Sequence, residues 1–283
     1  MAIRSIYIES PIIGKMTQGS IINGCIAEDF PNEEVYGFII TPRCDLEHQG
    51  KVNTVHYIPA VPFELWFNTI ARPIIKDLWQ KDNKNKLNNL FKRERLGEEV
   101  IDIGLSYEQL NKLCDINITK KNVKDEIKIL LDAYFDKSPD DFEYFLLDGE
   151  GKPKNRHKLI EYLSRLEGNG IPAYYAIEGW KEYGKNKHLV LMLRDVRRLQ
   201  IEIARQIKDG VYENVLGVTN TLKNDLFLNG KPQHFYWVQA QIASPFVEHI
   251  MQAFVYNFSR IGVEDRPGNT VDMMFNAIKN SIQ

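Results

Sequence analysis

The stretch Tyr36-Gly-Phe-Ile-Ile-Thr-Pro-Arg-Cys-Asp-Leu46 is a short apolar run that ends abruptly in a polar segment carrying a thiol and a carboxylate. This pattern predicts a strand that stops at a tight turn over residues 44–50. Upstream, residues 20–27 read as its hairpin partner, with a turn at Pro31-Asn32, and downstream residues 52–59 alternate apolar and polar positions like a third strand. Three such strands leave an open edge, which another part of the chain must cover.

A second strand-rich block supplies that cover. Strands are predicted at residues 172–177, 188–193 and 233–240, whereas the sequence between 63 and 170 has helical periodicity. Ser106 and Gln109 form a predicted capping box, and the basic run that begins at Arg194 is expected to become helical through Ile207. A last long helix is predicted to start at Ser244-Pro245, to stop at Gly262 and to be followed by a short helix over 271–282. The sequence therefore predicts an α+β fold in which one small β-barrel is split by a helical insertion and closed by a C-terminal helix.

Composition and charge restrict the classes of function. The chain has 283 residues, a net charge of -2 and a pI near 6.3, so it has no global attraction for nucleic acid, and any such contact needs a local basic patch. The N-terminus does not read as a signal peptide, and no stretch is apolar enough for a membrane span. Cys25, Cys44 and Cys114 are odd in number and widely spaced, which is typical of reduced thiols. We therefore expect a cytoplasmic protein that needs no cofactor, because the phosphate-binding glycine motifs are also absent.

The order of elements resembles that of the MazF/PemK family of bacterial toxins. The resemblance lies in Phe38-Ile-Ile-Thr-Pro, the following turn with Asp45, the third strand ending at Pro59, the strand that runs into Arg194, and the capped helix after Ala243. It covers about 120 residues in two pieces and implies an SH3-like barrel. The family's ribonuclease chemistry depends on a basic residue before the second strand and a Thr or Ser after the third. Those places read Pro31-Asn-Glu-Glu-Val and Ala60-Val-Pro-Phe here, so the resemblance does not carry these residues onto this chain.

The turn after the first apolar strand contains the catalytic candidates Cys44, Asp45 and His48. A cysteine nucleophile needs electropositive surroundings, which Arg43 and His48 would supply and which Asp45 would oppose. A structural turn, in which Asp45 caps the backbone and Cys44 packs as a small apolar residue, is the alternative interpretation. No spacing of cysteines and histidines indicates a metal site.

An anion-facing surface is the second candidate site. The planar guanidinium group of arginine binds phosphate well, and tyrosine rings can stack on bases. The predicted nucleic-acid-binding residues are therefore Arg43, Tyr174, Arg194, Arg197 and Arg198. In the alternative interpretation these arginines pair with Asp195 and Glu202 at the start of a solvated helix. The aromatic run at 235–237 is expected in the core, and the mixed charges of residues 81–99 are expected on a solvated helix.

The leading hypothesis is a protein directed at nucleic acid, with RNA first, that serves as a toxin-like effector or as a subunit of a bacterial defence or stress-response system. The defence context is implied by the resemblance, and if the protein is an enzyme we expect a nuclease-type hydrolase. The second hypothesis is a catalytically inert adaptor that binds a protein partner through the insertion, and a thiol-dependent hydrolase using Cys44 is a third. We expect residues 1–62 and 171–283 to form the two parts of the barrel unit and residues 63–170 the insertion. We expect no membrane contact, and the sequence leaves open whether the protein is a homodimer.

Overall fold

The computed structural model describes residues 8–48, 51–97, 100–137, 139–146, 156–166, 173–182, 185–216, 226–228 and 230–258. The strands in this part of the chain are β1 Ile8–Glu9, β2 Ser20–Cys25, β3 Val35–Ile39, β4 Thr54–Pro62, β5 Tyr174–Glu182, β6 Lys185–Met192, β7 Arg197–Gln200, β8 Val211–Tyr212, β9 Phe235–Tyr236 and β10 Val238–Ile242. The helices are α1 Arg43–Glu47, α2 Phe63–Trp66, α3 Arg72–Arg93, α4 Tyr107–Asn117, α5 Lys121–Tyr134, α6 Pro139–Leu146, α7 Arg156–Leu166, α8 Ile201–Asp209 and α9 Phe246–Phe258, and a single π-helical turn, Phe67–Ala71, joins α2 to α3.

Eight strands form one antiparallel sheet in the order β1-β10-β2-β3-β4-β6-β5, and β7 adds to the free part of β4. The long strand β4 joins the two halves of the chain. One edge of β4 pairs with β3, and its other edge pairs first with β7, at Val55–Leu199, and then with β6, at Val61–Val190. The sheet curls until its end strands β1 and β5 approach each other, so the predicted α+β fold with a nearly closed antiparallel barrel and a C-terminal helix is confirmed.

The two faces of the sheet bury different partners, because successive residues of a strand point to opposite sides. On β4, Ile58 and Ala60 face a cluster that contains Val247 and Ile250 of α9. On the opposite face, Val61 packs in a cluster with Trp66 and with residues of α3, α6, α7 and α8. Helices therefore cover both faces of the barrel, and the insertion covers one of them.

The helical segment also contains a core of its own. Leu87 and Phe91 near the end of α3 pack with Leu110 of α4 and with Ile127 and Leu131 of α5. The 22 residues of α3 span about 33 Å, so the helix contacts the barrel at one end and this second core at the other. The predicted capping box of α4 is present, since Ser106 Oγ accepts from the Gln109 N–H and Gln109 Oε1 accepts from the Ser106 N–H at 2.8 Å.

One local prediction is wrong and another is incomplete. The turn expected over residues 44–50 contains the short helix α1. The helix expected through Ile207 is present as α8, but strand β7, which was not predicted, lies between Arg194 and this helix. The helix end expected at Gly262 and the helix expected over 271–282 lie outside the described residues. No described helix is both long and apolar enough to cross a membrane.

Candidate functional site

The three catalytic candidates lie at α1, a helix without any buried residue. The Cys44 thiol is exposed, donates a hydrogen bond to Asp45 Oδ1 at 3.5 Å and accepts one from Lys51 Nζ at 4.0 Å. Lys51 also forms an ion pair with Asp45, and its hydrogen bond is the main reason that the pKa of Asp45 lies below its ordinary value. Within the described part, His48 is not hydrogen-bonded to Cys44, and the hydrogen-bond partners of the thiol are the Asp45 carboxylate and the Lys51 ammonium group.

A cleft of about 320 Å³ separates α1 from α8. Asp45 and His48 line the α1 side, Arg205 and Lys208 line the α8 side, and buried Val55 lies in its lining. The lining holds both cations and carboxylates, and Lys208 contacts Asp209 at 3.6 Å. The cleft therefore has no dominant charge that would select one class of ligand.

The predicted arginine set is distributed over several surfaces. Arg194 and Tyr174 line one depression of about 200 Å³, but Glu28, Asp29 and Asp195 line it too. Three carboxylates beside one arginine make this depression a poor site for a polyanion. Burial raises the pKa of Tyr174, the carboxylate of Asp29 raises it further and Arg194 opposes that change.

Arg197 is engaged inside the protein. Its guanidinium donates to Asp195 Oδ1 at 2.5 Å and to Oδ2 at 3.3 Å, and it lies 3.5 Å from Glu28. Burial alone would lower the pKa of Arg197, but the hydrogen bond and the charge of Asp195 raise it above its ordinary value. The pairing with Asp195 that the alternative interpretation expected is thus present. Arg198 is exposed on β7 opposite His56, and Arg43 lines a different depression.

A row of three aromatic rings lies on the small sheet formed by β8 and β9. Tyr212 and Phe235 face each other across the two strands with ring centroids 4.9 Å apart, and Trp237 follows on the same side, 6.5 Å from Phe235. Their exposed fractions are 51% for Tyr212, 38% for Phe235 and 41% for Trp237. The expectation that residues 235–237 lie in the core is therefore wrong for two of the three, and only Tyr236 is buried. We call Tyr212, Phe235 and Trp237 the aromatic row.

The backbone under the aromatic row is fixed by Asn23 of β2. The Asn23 side chain donates from Nδ2 to the Phe235 carbonyl at 2.9 Å and accepts the Trp237 N–H on Oδ1, also at 2.9 Å. Between these two bonds Tyr236 points inward, and its hydroxyl donates to Glu213 Oε2 or to the Phe227 carbonyl. The row is consequently held on a fixed backbone.

Two close approaches require glycine beneath this region. Gly24 has φ +71°, and a Cβ there would lie 2.1 Å from two carbons of the Tyr236 ring. Gly210 has φ +82°, and a Cβ there would lie 2.6 Å from Phe235 Cζ. Because α8 ends at Asp209, the Phe235 ring covers the backbone that directly follows the helix.

Two cations share a depression with the first residue of β10, the strand that follows the aromatic row. Lys15 and Arg43 line a depression of about 280 Å³ together with Val238, the residue after Trp237. The only acidic residue in its lining, within the described part of the chain, is Glu9. The depression that Arg43 lines is thus mainly cationic or neutral, unlike the one that Arg194 lines.

The aromatic row was missed for an identifiable reason. Alternation in a strand places residues 235 and 237 on one face and 236 on the other, which the sequence does show. Whether the outward face is covered depends on the rest of the chain. Tyr212 lies 23 residues upstream of Phe235, and the pairing of β8 with β9 is needed to bring the two rings together.

Neither a metal-binding group among the described residues nor a comparison with known proteins assigns a function to this chain. Among the described residues, no group of three or more histidine, cysteine or acidic side chains is arranged to hold a metal ion. No protein-family model matches the chain, and neither a curated protein nor a solved structure matches it. The nearly closed barrel is compatible with an SH3-like barrel, while the likeness to MazF/PemK toxins stays a resemblance in element order.

Proposed function

We propose that this protein binds single-stranded nucleic acid on the aromatic row, with Lys15 and Arg43 contacting the phosphates. The observation that carries the proposal is the exposure of three neighbouring rings on a fixed backbone. Bases stack on aromatic side chains whatever their sequence, and cations beside such rings track the phosphates. RNA is the first candidate, since single strands are the usual target of stacking recognition.

The wider role in the proposal is that of a toxin-like effector or a subunit of a bacterial defence or stress-response system. That part is supported only by the resemblance in element order. Cleavage is a second step to be assayed once binding is established, with Cys44, Asp45 and His48 as the residues to replace. The predicted site at Arg194 and Tyr174 is the competing location for the same ligand.

The test is fluorescence anisotropy with labelled oligouridylate, oligothymidylate and a duplex of equal length, over a series of salt concentrations. Trp237→Ala is expected to weaken single-strand binding about 5- to 150-fold, because one base stack contributes about 1–3 kcal/mol. Lys15→Ala combined with Arg43→Ala is expected to reduce the salt slope by about 1.4, since each phosphate contact contributes about 0.7. Single strands are expected to bind more tightly than the duplex.

Arg194→Ala is the matched control, because Arg194 is exposed and lines the other depression. It is expected to leave the affinity within about twofold of the wild-type value. Loss of binding in Arg194→Ala with full binding in Trp237→Ala would place the ligand on the predicted arginine surface and refute the proposed location. Absence of binding to every strand at low salt would refute nucleic-acid binding altogether.

A further inference from the structure

A groove runs along the surface between α3 and α5, on the side of the protein formed by the insertion. It has a volume of about 510 Å³, and its lining includes Lys86, Leu90, Arg93, Glu126, Ile129 and Leu130. These residues lie far along the chain from the aromatic row and belong to the second hydrophobic core or to its rim. The groove is thus a separate surface from the proposed nucleic-acid site.

The floor of the groove is apolar and firmly supported. Leu90 is buried in the core shared by α3, α4 and α5, and Leu130 packs against that core. Ile129 projects from α5 with 65% of its surface exposed. Covering this solvated isoleucine removes apolar surface from water, and the cost of ordering is low because the floor is already packed.

The two rims of the groove carry opposite charges. Lys86 and Arg93 stand on the α3 rim, two helical turns or about 10.5 Å apart, and Glu126 stands on the α5 rim. Within the described residues Lys86 forms no ion pair, and Arg93 contacts only its chain neighbour Glu94, at 3.3 Å. The α3 rim is therefore positive, the α5 rim is negative, and the charges on both are available to a partner.

We propose that this face of the insertion, with the groove and its two rims, is the interface between two copies of this chain. A two-fold axis along the groove places the α3 rim of each copy opposite the α5 rim of the other. Lys86 and Arg93 then face Glu126 of the second copy, and the Ile129 side chain on each α5 rim is covered by the α3 rim of the other copy. A surface with one positive and one negative rim is self-complementary under this operation, as a two-fold interface must be. A dimer of this kind leaves the aromatic row of each copy open.

The first test is the oligomeric state, measured by sedimentation equilibrium over a wide range of protein concentrations. The wild-type chain is expected to dimerise, and Ile129→Glu is expected to raise the dimer dissociation constant about 10-fold or more. Ile116→Glu is the matched control, since Ile116 is an isoleucine with 79% exposure on α4, outside the groove lining. A wild-type chain that stays monomeric, or a dimer that Ile129→Glu leaves unchanged, overturns the proposal.

The second test exchanges the charges of the rims. One variant carries Lys86→Glu with Arg93→Glu, and the other carries Glu126→Lys. Each variant alone is expected to stay monomeric, because like charges then face each other, whereas a mixture of the two is expected to form a heterodimer with both contacts restored. All three positions are exposed, so folding is expected to be unchanged. A mixture that does not associate, or a groove that binds an amphipathic helical peptide while the chain stays monomeric, contradicts the second-copy arrangement.

Discussion

Replacing Asn23 by alanine removes both hydrogen bonds that fix the backbone under the aromatic row. Asn23 is 8% exposed, and its amide group spans the segment from the Phe235 carbonyl to the Trp237 N–H, with both bonds at 2.9 Å. Tyr236 lies between these two groups and depends on the same segment for its place over Gly24. The substitution shortens one side chain and adds no steric conflict.

The size of the effect follows from the two bonds. Each hydrogen bond contributes about 0.5–1.5 kcal/mol to the free energy of unfolding. A buried polar group that is left without a partner and cannot reach water lowers it by about 1–3 kcal/mol. Since Trp237 is 41% exposed, water reaches part of this segment and replaces some of the lost bonding. We therefore expect Asn23→Ala to lower the free energy of unfolding by about 2–4 kcal/mol, equivalent to roughly 3–7 °C in melting temperature.

Urea denaturation followed by tryptophan fluorescence and by circular dichroism measures this change. The control is Asn117→Ala, because Asn117 is exposed and only donates to the Leu113 carbonyl of its own helix at 2.7 Å. That variant is expected to change the free energy of unfolding by less than about 0.5 kcal/mol. If Asn23→Ala is no more destabilising than Asn117→Ala, the Asn23 side chain does not hold this segment and the account of a fixed aromatic row is refuted. If it is destabilising, it should also weaken oligouridylate binding under conditions in which the protein stays folded.

Thiol reactivity and one carboxyl titration give two further predictions. At pH 8 an aromatic disulfide reagent is expected to modify Cys44 rapidly and the other two cysteines only after unfolding, because burial raises the pKa of Cys114 to about 11 and that of Cys25 well above its ordinary value. More than one rapidly reacting thiol in the native protein would contradict this burial. Lys51→Ala is expected to raise the pKa of Asp45 toward its ordinary value of 3.8, as followed by carboxyl carbon NMR. Because the pKa of Asp45 is depressed in the folded state, its contribution to stability is present above pH 3.8 and is lost as the pH falls through the folded-state pKa. If Lys51→Ala leaves the titration of Asp45 unchanged, Lys51 is not the partner that lowers this pKa.

The predictions that succeeded depend on local pattern. The capping box of α4 is contained in four residues, so Ser106 and Gln109 identify the helix start without any tertiary information. The strands of the barrel alternate or are β-branched, and an open edge after β4 already required later strands to cover it. The pairing of Arg197 with Asp195 involves residues two positions apart and was also within reach of the sequence.

The predictions that failed depend on distant partners. Strand β7 reads Arg-Arg-Leu-Gln and has one buried residue, Leu199, so its identity as a strand comes from pairing with β4 about 140 positions earlier. Helix α1 buries nothing and shows no apolar periodicity. The outward direction of Phe235 and Trp237 follows from alternation, but their exposure depends on what the remaining chain leaves uncovered. The separation of Arg43 from Arg194 likewise reflects the closure of the barrel.

The pairing of β4 with strands from the far end of the chain has a consequence for how this protein is made on the ribosome. Residues 20–62 emerge before the insertion and form a three-stranded meander. Its outer edges stay unpaired until β6, β7 and β10 have been synthesised. The helices of the insertion have mainly local contacts and can form while the meander is still incomplete, whereas the barrel has a high contact order and closes only after residue 242 is synthesised. During that interval the nascent chain presents free strand edges. The helices of the insertion cover one face of the sheet, so the insertion is the first later part of the chain that can shield that face.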